Sequence, residues 1–453
     1  MVVAEDALSL GLARFISEFG FGELPADIVT LAKQHLLDSL AAGFLGTLVP
    51  WPRMIADLVA EQGGHPQASV FGSSARVTAS QAALCNGALI SAFEAEYSAY
   101  LSHTAATATP AALAMGEHLG VDGRSLLRAL VLGSEVGCRL GTAQTKAVEE
   151  ERGFHNPGVN GPLAAAAAVG TLLELDPQTQ ANAFGIAASH AGGLAEFAWD
   201  GAMTKRLHCG RAAQMGLESA QLAARGFTGP TTVIEGKFGW LHAFSPSPKP
   251  EMLLDGIGEI WRMEAAETKP YPCKGHSQGI VAVLQELKSQ RTIDPRAVRS
   301  VGLRTSDPGR TNQARYWNRH PTTMLGAQYS VPFMTALALV RDLDDPRQFN
   351  ESVLCDDDVR RLAETVTSVA MPGDKGHFEI DLVTDDETIT ARTGPFVGSP
   401  QNPASMQDTE RKFRRYSRHV LDCEQQDAVI ATVHHLDDLD DIRPFVALIR
   451  GVG

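Results

Sequence analysis

With 453 residues, 44% apolar and 20% charged side chains, the chain can bury a large core, and its length suggests two or three domains. A formal charge of −14 argues against a nucleic-acid surface, which needs a clustered basic face. No run approaches about 18 uninterrupted apolar residues, which argues against a membrane span, and the N-terminus carries Glu5 and Asp6 where a secretory leader would be basic, then apolar. The cysteines at 85, 138, 209, 273, 355 and 423 are scattered without a CxxC pair, so zinc and iron–sulfur ligation are poorly supported. They read as reduced thiols of a cytoplasmic protein.

The first 265 or so residues read as helix after helix. Pro25-Ala-Asp-Ile28 opens one, and apolar residues recur at Ile28, Leu31, Ala32, Leu36, Leu40 and Phe44 until Gly46. Similar patterns predict helices over 79–93, 124–140, 161–175, 178–190 and 209–225, closed by Gly-rich stops such as Arg225-Gly-Phe-Thr-Gly-Pro230. After residue 267 the pattern changes. Alternation predicts strands over 298–305 and 378–384, the latter in a hairpin with 387–393 across Asp385-Asp386. Helices are predicted over 276–289, 327–341 and 356–366, a loop over 394–403, and a helical return over 407–449. The fold class expected is therefore mainly α, with a large all-helical domain over 1–267 completed by 405–453 and a smaller α+β lid over 268–404.

Several short stretches carry titratable groups in unusual settings. His155 sits in Phe154-His-Asn-Pro-Gly158 before an Ala-rich helix; a loop histidine bound to a carbonyl is the bland alternative to acid–base use. Lys205, in Met203-Thr-Lys-Arg-Leu-His208, lies at a helix start, where a cation opposes the helix dipole unless an anion binds. His103 follows Glu94, Glu96, Tyr97 and Ser98, so a carboxylate there can orient an imidazole; a solvated acidic face is the alternative. Thr268-Lys269-Pro-Tyr-Pro-Cys-Lys274-Gly-His276 puts two lysines and a histidine on a proline-stiffened segment at the apparent domain boundary. No nucleophile elbow, P-loop, dinucleotide fingerprint or HExxH pattern is present.

Together, Asn86-Gly87 with His103, Gly153-Phe-His155, Met203 to His208, Arg225 to Pro230, Lys269-Pro-Tyr-Pro-Cys273 and Glu410-Arg-Lys-Phe413 resemble the MmgE/PrpD family over nearly the whole chain. The resemblance implies a homodimer without metal or organic cofactor, acting on a small anionic carboxylate; charge and hydropathy already speak against a nucleic-acid or membrane partner. It places His103, His155, Lys205, Lys269 and Glu94 in the catalytic site, with the histidines as acid and base, the lysines as carboxylate anchors and Glu94 orienting a histidine. Lys274, Ser98, His276 and Phe333 are expected to line the substrate. Four places depart from the family pattern: Glu94-Ala-Glu96-Tyr97-Ser98 replaces an acidic run, Lys274 stands where a His or Cys is usual, Gln278 where a second His is, and Phe333 where a tyrosine is. Lys274, His276 and Tyr329 are then the groups available to supply a missing acid. The activity expected is a dehydratase-type lyase; an epimerase or isomerase, a decarboxylase and a non-catalytic carboxylate-binding paralogue are the alternatives.

Overall fold

The structure, a computed structural model, describes residues 7–451. It is mainly α: a helical domain and a smaller α+β lid. Helix Asn156–Leu172 runs through the middle of the first and touches helices Ala108–Leu119, Gly123–Gln144, Pro177–Ala188 and Thr204–Ala223. All seventeen of its residues are buried, which explains the weak amphipathic pattern of its alanine run. Small residues set how closely the helices approach. A Cβ added to Gly216 would lie 2.4 Å from Ala165 Cβ, and one on Gly87 would lie 2.9 Å from Gly210 Cα. These contacts fix helix Thr204–Ala223 against both neighbours, and with it the position of Lys205.

Helix Ala26–Gly46 forms a second layer. Leu36, Leu37, Leu40, Phe44 and Leu45 are fully buried along it, each contributing about 1.5–3 kcal/mol of apolar burial. The chain returns to this helix at its end. Met406–Ser417 packs on Ala26–Gly46, Cys423–His434 packs on both, and Arg443–Ile449 reaches Ala108–Leu119.

The lid sheet has the order 366–370, 298–305, 378–384, 388–393. Val301 pairs with Val366 in parallel and with Leu382 antiparallel, and Leu382 pairs with Ile389. Buried Val301, Leu303, Ile380, Leu382 and Ile389 show the alternation expected of a sheet covered on one face. Helix Gln278–Gln290 covers strands 378–384 and 388–393.

Several expectations shift. The helix read over 161–175 begins at Asn156, so His155 caps it and Pro157 lies in its first turn. The helix read from 209 begins at Thr204, which puts Lys205 inside it. The helix over 327–341 is two, Met324–Tyr329 and Val331–Val340, divided where Ser330 accepts the Phe333 N–H at 3.1 Å and Pro332 cannot donate. Strand 366–370 takes over where helix Asp357–Thr365 ends. A two-residue ladder, Ala68–Ser69 with Arg76–Val77, interrupts the otherwise helical domain. No described helix is long and apolar enough to cross a membrane.

Candidate active site

Past helix Ala79–Ile90 the chain makes a buried loop through Glu94, Ala95, Glu96 and Tyr97. Glu94 has φ 58°, a left-handed conformation that costs a residue with a Cβ roughly 1–2 kcal/mol. Both glutamates are wholly buried, and each meets a different base. Glu94 forms an ion pair with Lys205. Glu96 Oε1 lies 2.7 Å from His103 Nδ1. Burial alone would raise the Glu96 carboxyl, but Lys269 and His103 outweigh it and hold the group at about 2. Burial lowers His103, against the pull of Glu96. An ionised Glu96 can only accept, so neutral His103 carries its proton on Nδ1 and presents a bare Nε2. The expectation that Glu94 orients a histidine is thereby corrected: Glu96 does so, because Glu94 is engaged by Lys205.

Lys205 lies in the first turn of its helix and is 1% exposed. Burial drives its ammonium well below the usual lysine range, with Lys274, Arg206 and Lys269 adding to the effect; contact with Glu94 opposes it. His155, at the start of helix Asn156–Leu172, lies edge-on to Phe197 at 4.9 Å and 6.4 Å from the His103 ring. Its Nδ1 is 3.2 Å from Nδ1 of His208. Burial pushes His155 well below its ordinary range, so the ring is neutral.

The lid completes the site. Lys269 is buried and held in place by Thr268, whose N–H donates to Gly398 O at 2.7 Å. Lys274 donates its N–H to Gln328 O at 3.1 Å, and its Nζ lies 3.4 Å from Tyr329 Oη. The Tyr329 ring is shared: Lys274 Nζ lies 4.8 Å from its centroid and Lys205 Nζ 6.0 Å. Burial pulls Lys274 down, but Tyr329, Tyr316 and Glu149 outweigh it and keep the ammonium protonated. Unlike Lys205, neither Lys269 nor Lys274 has a carboxylate within 4.0 Å among the described residues. His276 stacks on Tyr316 at 4.2 Å and donates Nε2–H to Tyr329 O at 3.1 Å, a supporting rather than open position.

Ser98 lies at the edge. Its backbone pairs with Glu267 in both directions, at 3.1 and 2.8 Å, joining the glutamate loop to the start of the lid. Phe333 is fully buried in the lid core. At the opposite seam, Arg315 of the lid lies 3.4 Å from Glu149, which also accepts from Asn156 Nδ2 at 3.2 Å. A cavity of about 500 Å³ opens beside Arg206, Met203, Trp51 and Leu325, away from the histidines and lysines of the site. The structure adds Tyr316 and His208 to the expected set, gives the orienting role to Glu96 and sets Tyr329, a candidate acid, between two lysines. The Glu94-x-Glu96 spacing followed by His103 was the available signal for that role of Glu96. No group of three or more His, Cys, Asp or Glu suited to a metal ion occurs among the described residues.

Comparison with known proteins gives two domain matches: the MmgE/PrpD N-terminal domain over residues 11–253 and the MmgE/PrpD C-terminal domain over 271–438. The cis-aconitate decarboxylase-like protein oryM of Aspergillus oryzae is 30% identical, covering 99% of this chain and 98% of its own length. The cis-aconitate decarboxylase of Aspergillus terreus is 27% identical over 99% of this chain and 96% of its own. The cis-aconitate decarboxylase of Homo sapiens is 27% identical over 98% and 95%.

Proposed function

The chain belongs to the MmgE/PrpD family, and from that premise we propose that it is a carboxy-lyase for a small β,γ-unsaturated di- or tricarboxylate, cis-aconitate being the first candidate. A lyase-type reaction on a carboxylate follows from the family and its relatives; the loss of carbon dioxide is the finer reading. One observation carries it: among the described residues Lys269 and Lys274 have no carboxylate within 4.0 Å, beside a neutral His103 held by an ionised Glu96. The Lys205–Glu94 pair is neutral overall, and Arg206, Lys269 and Lys274 outnumber Glu96, so the site has a positive surplus that a polyanion neutralises.

The proposed chemistry follows from these charges. Lys205, Lys269 and Lys274 bind the carboxylates and stabilise the charge that spreads over the substrate at the transition state. A bound polyanion favours protonation of His103 at Nε2, and that proton is delivered to one alkene carbon. The electron pair of the C–CO2 bond then forms the new double bond at the other carbon as carbon dioxide departs. One proton is consumed per turnover. His155, neutral and packed on Phe197, is placed beside the reacting carbons as the second acid–base group. The dehydratase expected from sequence is the second reading. Decarboxylation is favoured over it because the three relatives compared are decarboxylases or decarboxylase-like.

The test is incubation with unsaturated and hydroxylated di- and tricarboxylates in heavy water, followed by NMR and carbon dioxide release. The expected outcome is carbon dioxide with one deuterium retained per product. Water loss from a hydroxy acid would move the assignment to a hydro-lyase, and scrambling without an alkene product to an epimerase. Absence of any binding, deuteration or turnover would overturn the enzyme reading. The working unit is taken to be a homodimer, to be checked by sedimentation.

A further inference from the structure

The C-terminal motif Glu410-Arg-Lys412-Phe413 does not reach the histidines or lysines of the site, yet one of its side chains touches the loop that carries Glu94 and Glu96. Lys412 is buried in helix Met406–Ser417 and forms an ion pair with Asp38 of helix Ala26–Gly46, also buried. The same Nζ donates to Ala95 O at 2.5 Å. The other oxygen of Asp38 accepts the Tyr97 N–H at 2.9 Å. The pair thus grips one carbonyl and one N–H of the loop, two residues apart. Tyr97 is held further by its stack on His35 at 4.0 Å and by contacts of its hydroxyl with Ser134 at 3.3 Å and Thr104 at 3.2 Å.

We propose that Lys412 and Asp38 are positioning residues, a buried clamp that fixes the Glu94–Tyr97 loop so that Glu96 meets His103 and Glu94 meets Lys205. The reason lies in what a buried ion pair does poorly. Apolar side chains of similar volume hold two helices together as well or better, because two desolvated charges rarely recover their loss of hydration. An apolar pair could not bond to Ala95 O and Tyr97 N–H. The left-handed Glu94 backbone is unfavourable by itself and persists only where its surroundings over-determine it. The clamp provides that restraint on the residues immediately after it. Glu96 acts electrostatically on Asp38, and Lys269 and Arg415 act on Lys412. Ala95 and Tyr97 flank Glu96, so the clamp holds the backbone on both sides of the residue that meets His103.

The importance of the clamp for turnover rests on the lyase reading, but its action on the loop can be measured without turnover. The probe is the downfield imidazole N–H proton of His103 bound to Glu96, observed by NMR and assigned by its loss in His103→Asn. In the double variant Asp38→Asn/Lys412→Met both charges go together, and the amide introduced in place of the Asp38 carboxylate still offers an oxygen to the Tyr97 N–H. The expected result is native-like melting, loss or rapid exchange of the His103 signal, and a fall in kcat of about 100-fold, the size of a slight misplacement of catalytic groups, with KM much less affected. Lys412→Arg keeps the pair and a donor for Ala95 O, and is expected to retain the signal and most of kcat. An unchanged signal in the folded double variant would overturn the proposal. If that variant does not fold, loss of the signal in a folded Lys412→Arg would overturn it equally. A signal lost as expected in a protein that turns over no carboxylate would leave the clamp standing and remove only the lyase reading.

Discussion

Two lysine–carboxylate pairs lie buried in this protein, and they differ in what surrounds them. At Asp38–Lys412 the charges balance, and backbone groups of Ala95 and Tyr97 complete the bonding. At Glu94–Lys205 three more cations act on the pair, and among the described residues Lys269 and Lys274 have no carboxylate within 4.0 Å. The first is a closed network. The second, on the proposed function, is held ready for an anion. Burial alone does not separate a structural ion pair from a functional one; the local surplus of charge does.

The strongest way to break the comparison is at Lys205. Lys205→Ala is expected to lower kcat by about 1000-fold, the upper range for losing one stabilising group at developing charge. It also leaves Glu94 buried and unpaired, which costs about 3–5 kcal/mol of stability. Glu94→Gln/Lys205→Met should recover the melting temperature without recovering turnover. A double variant that regained activity would make this pair structural after all.

Next is Glu96→Gln. It removes the anion that fixes the His103 tautomer, and kcat should fall about 100-fold with little change in KM. Lys274→Met should instead act on binding, raising KM about tenfold for a tricarboxylate and less for a dicarboxylate, as expected for one lost charged contact. Equal effects on both substrates would deny Lys274 a carboxylate.

A pH experiment probes the structural side. Burial pushes His35 down to about 3, so the folded protein keeps it neutral while the unfolded chain protonates it near 6.5. Stability from this group is fully present above 6.5 and is lost as pH falls toward 3, by about 1.4 kcal/mol per unit. His35→Phe should flatten the decline of melting temperature between pH 6.5 and 5; an unchanged slope would refute the assignment. The smallest effect is expected at the lid seam. Arg315→Ala removes a partly exposed contact with Glu149 and should cost below about 1 kcal/mol in denaturant unfolding.

Much of the helical domain was legible where helices keep a 3.6-residue period with a partly exposed face, as the opening turns of Ala26–Gly46 do before its buried second half. Helix Ala108–Leu119 was not, since ten of its twelve residues are buried and an Ala-rich segment surrounded by protein needs no polar face. Strand 366–370 was hidden because its sequence runs on from helix Asp357–Thr365 without a Gly or Pro between them. In the site, Lys205 and His103 could be read from their motifs, and the opposite duties of Glu94 and Glu96 could not. Those depend on a left-handed residue and on Lys412, far along the chain, neither of which leaves a local pattern. His208 belongs to the Lys205 motif, but only the 3.2 Å approach to His155 gives it a chemical setting.

The Tyr329 ring lies between a lysine of the helical domain and a lysine of the lid, and this has an electrical consequence. On the helical side Lys205 and Arg206 are matched by Glu94 and Glu96, and Glu149 acts on Lys274 from that side too, so that wall carries no positive excess by itself. The positive excess lies on the lid, on Lys269 and Lys274. Attraction for a polyanion is therefore assembled only when both halves meet over the ring, and the number of charges a substrate carries becomes the measure of whether it can hold them together.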